Sequence, residues 1–260
     1  MNWIDTHAHL YAEEFDADIA EVIDRSIQNN VSHILLPNID TSTIDRLKNT
    51  SALSNTKLSF LPMMGLHPCY VKADVEEQLS VIKNDLFSNA NDYIGVGEIG
   101  LDYYWDTTFK EQQIMALQAQ IDWAIALQKP VAIHCRDAYS DLIEILTKKK
   151  HPDLRGVLHC FGGSIEEAKQ LINLGFYLGI GGVLTYKKSG LDLVIKEIDL
   201  SFLVLETDAP YLPPVPFRGK RNESAYLVHI AEKLAEVKNV SLDMIADITT
   251  KNAKQLFNIN

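Results

Sequence analysis

Two histidines separated by a single residue, His7 and His9, lie near the start of the sequence in the segment IDTHAHL. In an extended strand, alternate side chains point to the same face, so Asp5, His7 and His9 would share one face. Two imidazoles on one face can chelate a single metal ion. The segment therefore predicts two ligands of a metal site.

Four more side chains suited to metal coordination each end a short apolar segment: Glu98, His134, His159 and Asp208. A carboxylate buried at the mouth of an apolar strand is costly unless it is paired or coordinated. A carboxylate such as Glu98 can also bridge two cations. Imidazole and carboxylate ligands together suit Zn, Mn, Fe, Co and, less well, Mg. We predict that these four side chains join the first two histidines in one metal site.

The candidate ligands lie at the carboxyl ends of segments that are rich in Val, Ile, Leu or Met. These segments, which we predict to be strands, are residues 3–9, 33–39, 58–67, 93–98, 130–134, 156–159, 176–181 and 202–208. Between them the apolar positions repeat with helical spacing, as in residues 19–27 and 114–127. Eight alternations of strand and helix predict a (β/α)8 TIM barrel, because right-handed crossovers allow parallel strands to close. The predicted metal site lies at the C-terminal rim of its strands.

The length and composition favour one barrel domain over residues 1–260. The 260 residues match the roughly 250 that are typical of this fold. A net charge of −11 argues against a broad DNA-binding face, because nonspecific binding to a nucleic-acid backbone depends on basic surface. A phosphate-bearing substrate would therefore be held locally, by metal ions and a few arginines. No pattern points to a protein partner.

The sequence begins a predicted strand within three residues, without a basic region followed by an apolar stretch, and no later segment reaches the ~18 apolar residues of a membrane span. We expect a cytoplasmic protein with no membrane contact. Its three cysteines cannot all pair. Cys135 and Cys160 each follow a strand histidine, so alternation predicts buried free thiols that point away from the barrel axis. Cys69 falls in a loop.

Two side chains near the predicted ligands could hold a phosphate oxygen. His67 lies in the segment GLHP, and Arg136 follows His134 by two residues, on the same face of the strand. The planar guanidinium suits a phosphate, and His67 could donate a hydrogen bond or act as an acid to the leaving group. The alternative for His67 is a loop histidine bonded to the backbone.

A basic cluster of Arg218, Lys220 and Arg221 follows the proline-rich residues 210–216. It has two interpretations. Arg218 and Arg221 could contact substrate phosphates that flank the cut, or Arg221 and Glu223 could hold the loop in place through ion pairs. Three aromatic side chains follow the fourth predicted strand: Tyr103, Tyr104 and Trp105. They either offer stacking faces to a base or pack the loop.

The segments IDTHAHL, GLHP, GEIGLDYY, AIHCRDA, LHCFGG, ETDAPYL and RGKRNE, in this order, resemble the TatD family of metal-dependent hydrolases, a branch of the amidohydrolase-like barrels. The resemblance covers nearly the whole chain. It implies two divalent metal ions, one held by His7, His9, Glu98 and Asp208 and the other by Glu98, His134 and His159. Glu98 would then be the bridge.

The chain departs from the family pattern in two loops. Ser224 stands where the family usually has a proline, and a glycine after Phe161 replaces a residue that is often small and polar. Neither position is a predicted ligand, so the departures bear on loop geometry and substrate choice.

The resemblance implies a phosphodiesterase, more specifically a deoxyribonuclease that trims DNA ends. Two cations about 3.5–4 Å apart can activate a water molecule and stabilise the leaving oxygen. Asp208 would also accept a proton, while Glu98 would fix the spacing of the ions. One alternative is an ester or amide hydrolase, such as an enzyme that deacylates a mischarged aminoacyl-tRNA. Another is a metal-binding barrel without catalysis, which the presence of both carboxylates disfavours.

Overall fold

The computed structural model describes residues 1–259 as a sheet of eight parallel strands that follow one another in chain order. The strands are β1 (Trp3–Asp5), β2 (Val31–Pro37), β3 (Ser59–Met64), β4 (Gly95–Asp102), β5 (Val131–Arg136), β6 (Gly156–Leu158), β7 (Phe176–Ile180) and β8 (Leu203–Leu205). Residue 260, the last of the predicted domain, lies outside the described residues. Because each strand pairs with the next one along the chain, every crossover is short and local.

The barrel closes through the segments that follow β1 and β8. The backbone N–H of Thr6 donates to the Leu205 carbonyl at 3.0 Å, and that of Asp208 donates to the His7 carbonyl at 2.8 Å. Ala8 and Ala209 form a parallel bridge beyond them. The predicted (β/α)8 fold is confirmed, and its last seam joins the loops that carry His7 and Asp208.

The helices lie between the strands and cover the outside of the barrel. They are α1 (Ile19–Gln28), α2 (Ile44–Ser51), α3 (Val75–Ser88), α4 (Lys110–Ala126), α5 (Tyr139–Lys148), α6 (Ile165–Asn173), α7 (Leu191–Glu197), α8 (Leu227–Lys238) and α9 (Leu242–Phe257). Local sequence sets some of their starts: the Ser164 hydroxyl accepts from the Glu167 N–H at 3.2 Å, and the Glu167 carboxylate accepts from the Ser164 N–H at 2.6 Å. This capping box satisfies two N–H groups at the start of α6.

One helix exceeds the eight that the strand–helix alternation predicts. Inside the barrel, side chains from six strands form a separate apolar cluster that includes Ile4, Met63 and Val204, and α9 packs against it through Leu256 and Phe257. The Asn252 side chain on α9 donates to the Leu200 and Leu203 carbonyls at 2.8 and 2.7 Å, at the start of β8. The last helix therefore covers the N-terminal end of the barrel and leaves the C-terminal end to the site.

The strand ends differ from the predicted ones where the site lies. The predicted strand over residues 3–9 ends at Asp5 and that over residues 202–208 ends at Leu205, because the chain turns there to close the barrel. In contrast, β4 continues past Glu98 to Asp102. Its pairing with β5 shifts register between Val96 and Ile99, and such a bulge redirects a side chain. Glu98 therefore projects from within a strand rather than from its end.

Within residues 1–259, no helix combines the length and the apolar character needed to cross a bilayer.

Candidate metal centre

The Glu98 carboxylate lies at the centre of the site, with its side chain 2% exposed. Its Oε2 atom is 3.0 Å from His7 Nε2 and 3.4 Å from His9 Nε2. Its Oε1 atom is 2.9 Å from His159 Nε2 and 3.2 Å from His134 Nδ1. Each oxygen of this one carboxylate thus faces a different pair of the predicted imidazole ligands, an arrangement that would allow Glu98 to bridge two cations.

Asp208 completes the group around Oε2. Its Oδ1 atom lies 3.6 Å from His9 Nε2 and 3.9 Å from His7 Nε2. The backbone of Asp208 has a φ of 59°, in the left-handed region that costs a non-glycine residue about 1–3 kcal/mol. Its hydrogen bond to the His7 carbonyl holds this turn, so the same contact that closes the barrel also positions the ligand.

The spacing of the donor atoms fits metal ions. Ligand atoms that share a tetrahedral ion at about 2.0–2.2 Å lie roughly 3.3–3.5 Å from one another. The His7 and His9 Nε2 atoms are 3.2 Å apart, and His134 Nδ1 is 3.3 Å from His159 Nε2. Imidazole and carboxylate are also the donor types that divalent transition metals prefer. The six predicted ligands are therefore brought together in an arrangement that can hold metal ions.

The histidines keep the central carboxylate charged. Burial alone would raise the pKa of the Glu98 carboxyl, but His159, His67 and His7 beside it lower that pKa well below its ordinary value. The pKa of the Asp208 carboxyl is also lowered: burial acts to raise it, and the hydrogen bond to His9 acts in the opposite direction. Both carboxylates are ionised at neutral pH and available to a cation.

Asp102, which the sequence analysis missed, sets the orientation of His134. Its Oδ2 atom lies 2.8 Å from His134 Nε2, so the ring presents Nδ1 to Glu98. Burial raises the pKa of the Asp102 carboxyl, but hydrogen bonding to His134 lowers it to about 2. Asp102 follows Glu98 by four residues in β4, so strand alternation could have placed both carboxylates on one face.

Tyr11 sets the orientation of the His9 ring, as Asp102 does for His134. The Tyr11 hydroxyl donates its hydrogen to the Pro37 carbonyl at 2.5 Å. Its oxygen therefore accepts a hydrogen bond from the N–H group at His9 Nδ1, at 3.0 Å. With its proton on Nδ1, the ring leaves the Nε2 lone pair free to bind a metal.

Glu206 is a second carboxylate that the sequence analysis missed. It is fully buried, and its Oε1 atom accepts from the Cys160 N–H and lies 3.5 Å from His159 Nδ1. The His7 and His159 rings stack at a centroid distance of 3.8 Å, and one nitrogen of each lies within 4.8 Å of a Glu206 oxygen. A side chain at Gly179 would place its Cβ 2.2 Å from Glu206 Oε2, so this carboxylate occupies space that the glycine leaves open.

Three buried polar atoms meet at Glu206 without hydrogen-bond partners: His7 Nδ1, His159 Nδ1 and Glu206 Oε2. Because both rings turn Nε2 toward Glu98, metal binding at Nε2 leaves the proton of each ring on Nδ1. Glu206 is then the carboxylate that can accept hydrogen bonds from those two N–H groups. It precedes Asp208 by two residues, which is again the spacing of one strand face.

Replacing Glu206 with glutamine is expected to weaken metal binding, because an amide is a poorer acceptor for two imidazole N–H groups. Loss of such an outer partner typically costs about 10–100-fold in metal affinity. Titration calorimetry with Zn²⁺ or Mn²⁺ would measure the change. Glu197→Gln, on the exposed end of α7, is the matched control. Unaltered affinity in Glu206→Gln would show that this carboxylate does not orient the ligands.

His67 lies at the same carboxylate as the ligands. Its Nε2 atom is 3.1 Å from Glu98 Oε1, and its ring centroid is 4.6 Å from that of His134. Its Nδ1 atom accepts from the Cys69 N–H at 3.1 Å. The backbone bond of the second interpretation is therefore present, while the other ring nitrogen faces the site; a contact with substrate stays a prediction.

The predicted substrate arginines lie in three different environments. The Arg136 guanidinium is 3.5 Å from the centroid of the Tyr104 ring, and Arg218 lies 4.2 Å above Tyr186. Arg221 instead donates to both carboxylate oxygens of Asp18, at 2.6 and 2.7 Å. This pair ties the loop to the start of α1, with Asp18 rather than the predicted Glu223 as the main partner, and it favours the second interpretation of Arg221.

Replacing Arg221 with alanine is expected to destabilise the fold by about 1 kcal/mol at pH 7 without raising KM. Hydrogen bonds from Arg221 are the main reason that the pKa of Asp18 falls from 3.8 to about 2. A carboxyl group whose pKa is lowered on folding stabilises the folded state at pH values above its ordinary pKa. This stabilisation is lost as the pH falls through about 2. The difference in free energy of unfolding between the wild type and Arg221→Ala should therefore become smaller in acid.

Urea unfolding at several pH values would measure that difference. Asp18→Asn is the matched comparison: it removes the same ion pair from the other side together with the Arg25–Asp18 contact at 3.2 Å, so its loss should be at least as large. A raised KM with unchanged stability in Arg221→Ala would instead return this arginine to the substrate.

The cysteines follow the prediction in part. All three are free, and Cys135 packs against the apolar core outside the barrel. The strand alternation on which the prediction for Cys160 rested does not extend to it, because β6 ends at Leu158 and Cys160 adopts a left-handed φ of 48°. Burial, with the neighbouring charges of Asp208 and Glu206, raises the pKa of its thiol well above the ordinary value.

A (β/α)8 barrel with a buried carboxylate between groups of histidines at its C-terminal end defines a barrel-type, metal-dependent hydrolase. The family described as TatD related DNase matches residues 4–258. The chain is 40% identical over 258 residues to an uncharacterised metal-dependent hydrolase of Bacillus subtilis, YabD, covering 98% of this chain and 99% of that protein. The chain belongs to the TatD family, as its motifs predicted.

Two relatives from Escherichia coli agree with this assignment. The metal-dependent hydrolase YcfH is 32% identical over 266 residues, which cover 100% of this chain and 97% of that protein. The crystal structure of the TatD homologue YjjV superposes with a TM-score of 0.93 at 29% identity, covering 99% of this chain and 98% of the other. The barrel and its connections are therefore shared over the whole described length.

Proposed function

We propose that this hydrolase is a two-metal phosphodiesterase, a deoxyribonuclease that trims DNA ends. The observation that supports it most is the placement of one buried carboxylate, Glu98, with its two oxygens toward two separate imidazole pairs. A carboxylate shared by two groups of ligands could hold two cations, as two-metal phosphodiester hydrolysis requires. The family description, TatD related DNase, supports DNA as the substrate.

The two groups of side chains would each hold one ion. The first group is His7, His9, Asp208 and Glu98, and the second is Glu98, His134 and His159. Zn, Mn, Fe, Co or Mg could be bound there. When bound, divalent cations lower the pKa of water and polarise a phosphoryl oxygen.

The protein's own residues would handle the protons. Asp208 is 11% exposed at its side chain and ionised, so it can accept a proton from the attacking water. His67 accepts a backbone N–H at Nδ1, which leaves its proton on Nε2, the atom that faces the site. The N–H group at Nε2 can donate a hydrogen bond to a phosphate oxygen or to the leaving oxygen.

The negative net charge of the protein favours a small contact area with DNA. The chain carries a net charge of −11, so attraction to a polyanion must come from the site itself. Arg136 and Arg218 are the cations that could meet phosphates next to the one that is cut. We also place the reaction in the cytoplasm, where an enzyme acting on DNA ends meets this substrate.

Removal and replacement of the metal, with several substrates compared in parallel, tests the proposal. The protein is treated with a chelator, reloaded with Mn²⁺, Zn²⁺ or Mg²⁺, and given single-stranded DNA, duplex DNA and charged tRNA. We expect nucleotides to be released from DNA ends only after reloading. Release of an amino acid from intact tRNA would identify a deacylase instead. Failure of the reloaded protein to hydrolyse DNA, charged tRNA and a further panel of carboxylic esters and amides would leave a metal-binding barrel without catalysis.

A further inference from the structure

Two aromatic side chains in the loop after β4 are unusually exposed. Trp105 is 71% exposed and Tyr104 is 53% exposed, and their rings meet edge to face at a centroid distance of 4.9 Å. The neighbouring Tyr103 differs, because its hydroxyl donates to Asp141 at 2.9 Å and Lys110 covers its ring at 4.4 Å. Only one of the three aromatic residues therefore packs the loop, and two leave ring surface open to solvent.

The exposed pair is attached to the metal centre by one carboxylate. The Tyr104 and Trp105 N–H groups donate to Asp102 Oδ1 at 3.0 and 3.3 Å. The other oxygen of Asp102 is 2.8 Å from His134 Nε2. The carboxylate that orients a predicted ligand thus also fixes the backbone of the aromatic loop, so the loop starts directly beside the centre.

Arg136 supplies a cation at the same place. Its guanidinium lies 3.5 Å from the Tyr104 ring centroid and 5.4 Å from that of Trp105, and across residues 1–259 it forms no ion pair. The stacked guanidinium keeps its N–H groups free for an anion. Arg25, Arg46 and Arg221, in contrast, each pair with a carboxylate.

We propose that Tyr104, Trp105 and Arg136 form a nucleotide subsite, in which a base stacks on the exposed rings and Arg136 binds the phosphate attached to that base. The rings accept any base, because every base has a face that can stack. The fork of the arginine matches two phosphate oxygens. This subsite rests on the proposed phosphodiesterase function and adds the nucleotide beside the cleaved bond as the group that is recognised.

A comparison of substrates with and without that base tests the subsite. One DNA oligonucleotide carries a normal nucleotide next to the terminal bond, and a second carries an abasic nucleotide, which keeps the phosphate. We expect the wild type to prefer the base-bearing end by roughly tenfold in kcat/KM. Trp105→Ala should cleave both with nearly equal kcat/KM, and Trp105→Phe should restore most of the preference.

Two further variants complete the design. Phe87→Ala removes another exposed aromatic side chain, at the end of α3 that precedes the start of β4, and should keep the wild-type preference. Arg136→Ala should raise KM for both oligonucleotides, because both contain the phosphate. Equal cleavage of the two ends by the wild type would overturn the subsite while the nuclease function stands. No cleavage of either DNA by the metal-loaded wild type would overturn both.

Discussion

Replacing Glu98 with glutamine is expected to lower kcat/KM by about 10³-fold or more. Glutamine preserves the volume of the side chain but removes the negative charge that faces both imidazole pairs. Loss of about 4 kcal/mol of metal-dependent stabilisation of the transition state corresponds to about 10³ in rate. If two ions are bound as proposed, metal analysis of the purified variant should show that both are lost together, since one carboxylate would serve both groups.

Circular dichroism would establish that Glu98→Gln still folds. Glu144→Gln, on the exposed face of α5, is the matched control and should retain both metal content and rate. Loss of one ion with the other fully retained would show that Glu98 does not bridge.

Replacing Asp208 with asparagine is expected to lower kcat by about 10²–10⁴-fold, the usual contribution of a positioned proton acceptor. The amide oxygen of asparagine can still approach His9 and the first ion, so metal content should fall much less than in Glu98→Gln. The effect should appear in kcat more than in KM, because proton transfer belongs to the transition state.

Measurement of kcat, KM and bound metal on the same preparation separates these effects. Asp247→Asn, exposed on α9 at the far end of the barrel, controls for the change from acid to amide. Unchanged turnover in Asp208→Asn would remove this residue from the proposed mechanism.

Glu98 and Asp208 belong to a centre in which two imidazole rings are oriented by hydrogen bonds from outside the centre. Tyr11 fixes His9 and Asp102 fixes His134, in each case by a hydrogen bond to the ring nitrogen that does not face Glu98. A fixed tautomer leaves the other nitrogen ready for a metal, which reduces the reorganisation that binding requires. The site is therefore organised by residues that never touch the proposed ions.

Several of these outer residues were within reach of sequence reasoning. Asp102 follows Glu98 by four residues and Glu206 precedes Asp208 by two, and both spacings place side chains on one strand face. The spacing predicts a shared face, but it does not predict a hydrogen bond to a histidine on another strand. The same holds for the ends of the strands. The apolar segments predict where the strands lie, but the bulge at Glu98 depends on pairing with β5.

The sequence alone determined the barrel and the six side chains that meet at its rim, because strand periodicity and the order of the motifs are local properties of the chain. The tertiary structure alone decided which nitrogen of each histidine faces Glu98, and that α9 covers the opposite end. It also decided that Arg221 pairs with Asp18, 203 residues away. The physical reason is that these features are contacts between distant segments, and their geometry exists only once the barrel has closed.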